Sequence, residues 1–483
     1  MLQEKERRRI KMKALDLSLN ETQKNSLKKV LVPGFQDSHM HLIEYGKFLS
    51  QVDLRAVKSI SEMIGLLKPD AELEKVESFG WNQENFVEKR YPNRYDLDKI
   101  ADDRPVLLSR ICGHVTVVNS YVVEALAMEG VPAVDGGSID VDSDGNPTGI
   151  FREKARDLLK EKGYYDATPD DLKKYILTAQ EDLLKKGVTT VHSDDLASFP
   201  NLSWKVVVKA FEDLMESGQL ILKVVEQANV SDAKELRDTV SRLRGKRFEI
   251  GSIKRFTDGS LGARTAHLRE PYNDAQQEFG IQLQSDEQLI KEMETAYKAG
   301  IPLSIHAIGD RAIERVLSCF EALSAPKEYY GKSGIIHCQI TSQDLLVRMK
   351  ALGLRAYVQP IFLHEDAKIV YDRLGENRAC EAYVWRTMHE MGIPLFMGSD
   401  APIDTPDVIK GLYCAVERKT LDQQPISFLK GESLTIDQAL EGYVRDKDSQ
   451  DDWVLLDMPL ADCLKTPHEN HVVNVWVNGE WVL

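Results

Sequence analysis

The stretch GFQDSHMHL, residues 34–42, ends an apolar run with two histidines two positions apart. A strand alternates its side chains between two faces, so His39 and His41 point one way and Met40 the other. Two imidazoles converging at a strand end offer two of the ligands a divalent metal needs. A surface or core pair is the plainer reading of an isolated His-x-His. The decision rests on whether the rest of the chain supplies further ligands at matching places. Lys254 in SIKRFTDGS, His306 in LSIHAIGD, His337 in GIIHCQ and Asp400 in FMGSD each stand at the end of an apolar, strand-like run. His192 ends another, GVTTVHS. Singly, each such residue is more often structural. Their joint appearance at corresponding strand ends points to a shared metal centre.

Elements able to position these groups are legible in the hydrophobic pattern. After a first apolar segment at 28–39 come others at 187–193, 220–230, 248–260, 301–310, 333–341, 353–360 and 393–400. Helix-like segments lie between them, such as 286–300 and 310–323. The second carries apolar residues at 312, 313, 316, 317 and 320, the helical spacing. Alternating β and α segments predict parallel strands, and eight of them predict a closed (β/α)8 TIM barrel of the α/β class, with its active site at the carboxyl ends of the strands.

One interval, residues 45–186, is too long for a loop and reads as an inserted subdomain near the barrel mouth. It holds a helix near 59–67, the runs FGWNQENF and RPVLLSRICGH, and the turn-rich VDGGSIDVDSDGNPTG. The DVDSDGN piece lacks the glutamate of a calcium loop at its twelfth position, which is Phe151, and reads as a hairpin turn. Asn478-Gly479, between two apolar runs, predicts a second hairpin at the C-terminus. The expected organisation is an N-terminal segment 1–30, the barrel at 31–44 and 187–445, the insert at 45–186, and a small β element at 446–483.

The balance of the chain is that of a globular enzyme: 42% hydrophobic and 29% charged residues, with a net charge of −15. That charge argues against a nucleic-acid partner, whose binders are basic. No run approaches a membrane span, and the charged N-terminal stretch lacks the apolar region of a secretory signal. Six scattered cysteines without a CxxC pair suit a reducing, cytoplasmic setting. A small-molecule substrate is the expected partner; association into a homo-oligomer is left open.

The blocks PGFQDSHMHL, GWNQENF, LSRICGHVTVVNS, GVTTVH, KRFTDGSLGARTAHLREPYND, IHAIGDRA, VQP and MGSDAPID, in this order, resemble the amidohydrolase superfamily. Within it they are most similar to the amidohydrolase 3 family, which includes N-substituted formamide deformylases. The resemblance implies that His39, His41, His306 and His337 are metal ligands. It implies that Lys254 is the lysine that carbon dioxide can carboxylate, bridging two metals, and that Asp400 both binds metal and moves the proton as general acid/base. The implied cofactor is zinc or another divalent metal, one ion or two. The implied reaction is hydrolysis of a C–N bond in an amide-like substrate by a metal-bound hydroxide. Weaker substrate candidates are His114 and Asn119 in the insert, Trp81 as a pocket wall or simple core, and Arg264 as an anion holder or ion-pair partner.

The chain also departs from that family. Its N-terminal residues read as charged and helical rather than β, and LEGYVRDKDSQDDWVLLD replaces the usual GxIxxGxxAD segment, so the terminal β-sandwich is expected to be reduced. Ile336 stands where a glutamate usually precedes the sixth-strand histidine, and Gln36 replaces an aliphatic residue. Two other readings keep the scaffold: ester, phosphoester, isomerase or decarboxylase chemistry, and a non-catalytic binding protein that retains its metal.

Overall fold

The apolar run expected as one strand folds as two, β1 (Leu31–Pro33) and β2 (Phe35–Met40). Gly34 separates them where the chain threads between neighbours. Its N–H donates to the Asp452 carbonyl at 2.8 Å, and a Cβ there would lie 2.5 Å from Thr189 Oγ1. The computed structural model describes residues 30–110, 115–126, 132, 134, 137–199, 201–243, 246–444 and 451–483. His114 and residues 1–29 of the N-terminal segment lie outside the described residues.

The next strands, β3 (Val76–Trp81), β4 (Val106–Arg110), β5 (Val115–Val118), β6 (Gly137–Val141) and β7 (Pro147–Glu153), form a sheet in the order β3-β4-β5-β7-β6. They belong to a compact unit of Gly46–Asp171 with Phe199–Leu202. One of its cores gathers Leu54, Met63, Trp81, Phe86, Leu97 and Val117, all inaccessible to solvent. The Gly/Asp-rich turn joins β6 to β7 as an antiparallel hairpin, with the Asp142 carboxylate accepting from the Asp144 and Asn146 amides.

The other unit contains the barrel. Its strands are β2, β8 (Val188–Ser193), β9 (Lys223–Ala228), β10 (Phe248–Phe256), β11 (Leu303–Ala307), β12 (Gly334–His337), β13 (Arg355–Val358) and β14 (Leu395–Met397). Every pair of neighbours from β2 round to β14 is parallel. All eight sequence-predicted strands are present, and the helices between them are cut where the sequence signals ends. Helix Asp286–Ala299 starts at Ser285, whose side chain accepts from Gln288 N, and stops at Gly300 with φ +72°. Helix Asp310–Leu323 buries Ala312, Ile313, Val316, Leu317 and Phe320 against the sheet. The result is an α/β TIM barrel, nearly closed.

The last strands, β15 (Trp453–Leu456), β16 (Val472–Val477) and β17 (Glu480–Trp481), join β1 in a four-stranded antiparallel sheet, order β1-β15-β16-β17. Asn478 and Gly479, both at positive φ, turn the final hairpin. Among the described residues no helix is long and apolar enough to cross a membrane.

No ladder joins β14 to β2 among the described residues; a side chain makes that seam. Asp37, buried within β2, accepts from Ser399 N at 3.0 Å, Ser399 Oγ at 2.5 Å and His39 N at 3.2 Å. Backbone bonds from Asp400 N to His39 O, 2.7 Å, and from His41 N to Ala401 O, 2.8 Å, extend it. Gly398 leaves room for this approach, since a Cβ there would lie 2.5 Å from Asp37 Oδ1 and 2.6 Å from His39 N. Overpacking at such a site costs about 1–3 kcal/mol. Gly398→Ala is therefore expected to lower the free energy of unfolding by about that much. Gly431→Ala, with nothing within 4 Å of the added carbon, is the control, and chemical denaturation of the two variants measures the difference.

Candidate metal centre

The strand order brings residues far apart in sequence to one mouth of the barrel. His39 lies near the end of β2 and His41 just beyond it. Lys254 is two residues inside the end of β10, His306 one residue inside the end of β11, His337 ends β12, and Asp400 follows β14. His39, His337 and Asp400 offer ligand atoms that all lie within 4.8 Å of one another. His41 Nε2 is 3.3 Å from Asp400 Oδ1, and His39 Nε2 is at the same distance from that oxygen. Lys254 Nζ lies 2.9 Å from His39 Nε2. The His306 ring packs edge-on against His337, centroids 4.5 Å apart, while its Nε2 lies 3.2 Å from the Gly259 carbonyl and 3.4 Å from Asp258 Oδ1. Five of the six candidates thus meet directly, and His306 borders the group through His337.

The electrostatics of this cluster are those of a cation site. Asp400 Oδ1 is buried and has no hydrogen-bond partner despite the two imidazoles beside it. A buried acceptor of this kind carries its full desolvation cost unless a positive charge meets it. Burial alone would push the Asp400 carboxyl upward. The close His41 imidazole, with the charges of His39 and His337, holds it well below the usual carboxylate range. For His41, burial pushes downward but Asp400 outweighs it, and the imidazole is pushed up to about 10. His39 and His337 are driven down, chiefly by burial. Burial also brings the Lys254 ammonium down to about 8, against the opposing charges of Asp194 and Asp400. An orphaned buried carboxylate oxygen among imidazoles, with an enclosed amine beside them, fits a divalent cation with nitrogen and oxygen ligands. The groups able to hold it are His39, His41, His337 and Asp400, with Lys254 and His306 at its edge.

Two of these residues sit in unusual backbone. His337 has φ +68° and Asp400 φ +59°, the left-handed region that costs a non-glycine residue about 1 kcal/mol or more. Each turns its side chain into the mouth at or shortly after the end of a strand.

A profile of the amidohydrolase family matches residues 28–446. The chain belongs to that family. YtcJ of Bacillus subtilis (strain 168), whose name places it among the amidohydrolases, is 36% identical over 434 residues, covering 88% of this chain and 80% of its own. A metal-dependent hydrolase of Pyrococcus furiosus, known from its crystal structure and uncharacterized, superposes with a TM-score of 0.70 at 33% identity, covering 87% of this chain and 82% of its own. The N-substituted formamide deformylase of Arthrobacter pascens is 24% identical over 433 residues, covering 86% of this chain and 78% of its own. The protein is a metal-dependent hydrolase of this family, and the resemblance read from its sequence blocks holds.

The weaker substrate candidates fare differently. Asn119 is wholly buried and wholly engaged. Its Oδ1 accepts from the Val106 and Val122 amides at 3.3 Å, and its Nδ2 donates to the Ala101 and Arg104 carbonyls at 2.8 Å. It caps helix Ser120–Ala125 and leaves no atom for a substrate. Trp81 is core rather than pocket wall, with Nε1 donating to the Leu108 carbonyl at 2.9 Å. Arg264 gives both faces of its guanidinium fork to Asp274, at 3.0 and 2.8 Å. Asp258, on the same loop, accepts from the His267, Ile308 and Gly309 amides and holds the turn after β11.

Sequence reasoning passed over Gln227 and Gln359. Gln227 Oε1 lies 2.6 Å from His39 Nδ1, and Gln359 Oε1 lies 2.8 Å from His337 Nδ1. The third ring, His41, sets Nδ1 3.1 Å from the Asp194 carbonyl. The signal available was position: both glutamines stand at or just past the carboxyl end of a barrel strand.

Asn119→Ala removes two acceptor bonds and two donor bonds at once. It is expected to destabilise the protein by at least about 2 kcal/mol, read as a lowered midpoint in urea. The variant that remains folded should keep the substrate affinity of the parent.

Proposed function

We propose that the chain hydrolyses a C–N bond in an amide-like small molecule at this centre, with Asp400 moving the proton. The observation that carries the reading is the buried Asp400 Oδ1, without a donor and 3.3 Å from two imidazole nitrogens. The formamide deformylase activity named for the Arthrobacter pascens relative supports amide-like substrates.

A divalent cation held there, zinc by default for imidazole and carboxylate ligands, supplies Lewis acidity and lowers the pKa of a water from about 16 to near 7. The chain's own residues do the rest. Asp400, held as a carboxylate, accepts a proton from the attacking water and delivers it to the leaving nitrogen. Its left-handed backbone, anchored by the bond from its N–H to the His39 carbonyl, aims the carboxylate at the imidazoles. Lys254 is enclosed, with its amine 2.9 Å from His39 Nε2. Carboxylation would turn this amine into an anionic oxygen ligand and so admit a second cation. Phe256 and Phe362 lay their rings against Lys254 and His337.

Metal analysis of the purified full chain should find a divalent ion, and native mass spectrometry should find carbon dioxide on Lys254 if the centre holds two. Asp400→Asn should lower turnover of an N-substituted amide by about 100- to 10,000-fold, the range for a positioned acid–base group, while most of the metal stays. Unchanged turnover in that variant sinks the assignment. A parallel panel of esters and phosphotriesters decides the bond: turnover confined to those substrates overturns the C–N reading and leaves the hydrolase.

A further inference from the structure

The inference here concerns how His39 and His337 present themselves, and it rests on the metal-centre reading above. A glutamine amide can be turned either way round, but here the surroundings fix it. Gln227 Nε2 lies 3.1 Å from the Ser38 carbonyl, and Gln359 Nε2 lies 3.2 Å from the Tyr357 carbonyl. A backbone carbonyl only accepts, so the amino end of each glutamine must face it. The amide oxygen then faces the imidazole, at 2.6 Å for His39 and 2.8 Å for His337. That oxygen also only accepts, so the ring nitrogen before it, Nδ1, must carry the hydrogen. A neutral imidazole has one such hydrogen, and Nε2 is left with a bare lone pair. A histidine must be neutral to bind a cation. Both glutamines are buried themselves, 1% and 3% exposed, so solvent does not substitute for them.

We infer that Gln227 and Gln359 are positioning residues that lock His39 and His337 in the tautomer whose Nε2 is free to bind a cation. They do so without adding charge. On the third ring, His41, Nδ1 likewise faces a neutral oxygen, the Asp194 backbone carbonyl, at 3.1 Å. All three imidazoles around Asp400 are therefore backed by neutral oxygens, where a carboxylate is a common alternative in metal sites. A carboxylate would draw the Nδ1 proton toward itself and make the ring a stronger donor. An amide holds the orientation and leaves the ring less electron-rich, so the cation keeps more of its own charge. The two glutamines also tie strands together at the mouth, Gln359 linking the end of β13 to His337 on the neighbouring β12. Gln227, on β9, reaches the Ser38 carbonyl on β2, with β8 lying between those strands.

The test uses full-length protein and zinc. Gln227→Leu and Gln359→Leu remove the acceptor and keep the bulk. Each is expected to weaken zinc by about 10- to 100-fold in competition with a chelator. Gln227→Glu and Gln359→Glu restore an acceptor and should recover most of that affinity, which a purely steric role would not do. In the metal-free wild-type chain labelled with 15N-histidine, the His39 and His337 rings should appear as Nδ1–H tautomers, assigned by comparison with His39→Asn and His337→Asn. The same rings should move to Nε2–H in the leucine variants. Leucine variants with unchanged zinc affinity, or Nε2–H rings in the wild-type chain, overturn the inference while the metal centre stands. A wild-type chain that takes up no zinc or other divalent ion overturns the metal-centre reading itself, whatever the ring tautomers.

Discussion

The Asp37 carboxylate closes the barrel where no strand ladder does. Among the described residues seven strand pairs share parallel ladders; at the eighth junction one buried side chain accepts from Ser399 and from its own strand at His39, beside two backbone bonds. That junction places β2, with its two histidines, against the turn after β14, with Asp400. A one-residue slip of β2 would send His39 and His41 to the opposite face. The seam therefore sets the register of the pair and the distance of the carboxylate from it. Gly398 matters for the same reason, because any side chain there would occupy the space the carboxylate needs.

Once closed, the mouth concentrates groups that repel or leave one another unsatisfied. Three imidazoles and a carboxylate meet where Oδ1 of Asp400 has no donor, and an amine is enclosed beside them. Such a cluster is expensive without a cation and stable with one. The strain is not only electrostatic: His337 and Asp400 both occupy left-handed backbone, a cost that the packing around the barrel mouth must hold in place. Asp195 and Glu226, buried near the same end of β8 and β9, are pushed upward by burial, so the acidic character of that side is muted. The centre thus has one carboxylate held firmly ionised, Asp400, among others held toward neutrality.

The residue blocks were informative where chemistry and local geometry coincide. His-x-His at a strand end, lone histidines ending two other strands, and an aspartate after the last strand are patterns that follow from strand alternation and the placement of barrel active sites. Helix ends were legible because capping is local: Ser285 and Gly300 sit where their side chain, or lack of one, is used. The hairpins at Asp142–Asn146 and at Asn478-Gly479 follow from turn chemistry alone. For Asn119, Trp81 and Arg264 the sequence left a structural role open beside a substrate role, because a family-like block shows that a side chain is present and not what already satisfies it. Asn119 turned out to meet four backbone groups, and Arg264 a carboxylate ten residues away.

The sequence by itself determined the class of fold and the eight strands, written in residue type and periodicity within short windows, and the family, through the resemblance of its motif blocks; it also nominated six candidate groups for a metal centre. The tertiary structure alone decided three things. It split the first apolar run at Gly34, since only the packing of Thr189 and Asp452 against that glycine makes the break. It made a buried side chain, rather than a ladder, the seam of the barrel. It placed Gln227 and Gln359 behind the imidazoles, a pairing between residues 188 positions apart in one case and 22 in the other. Hydrogen bonds of that reach depend on which strands become neighbours, and no local pattern encodes them.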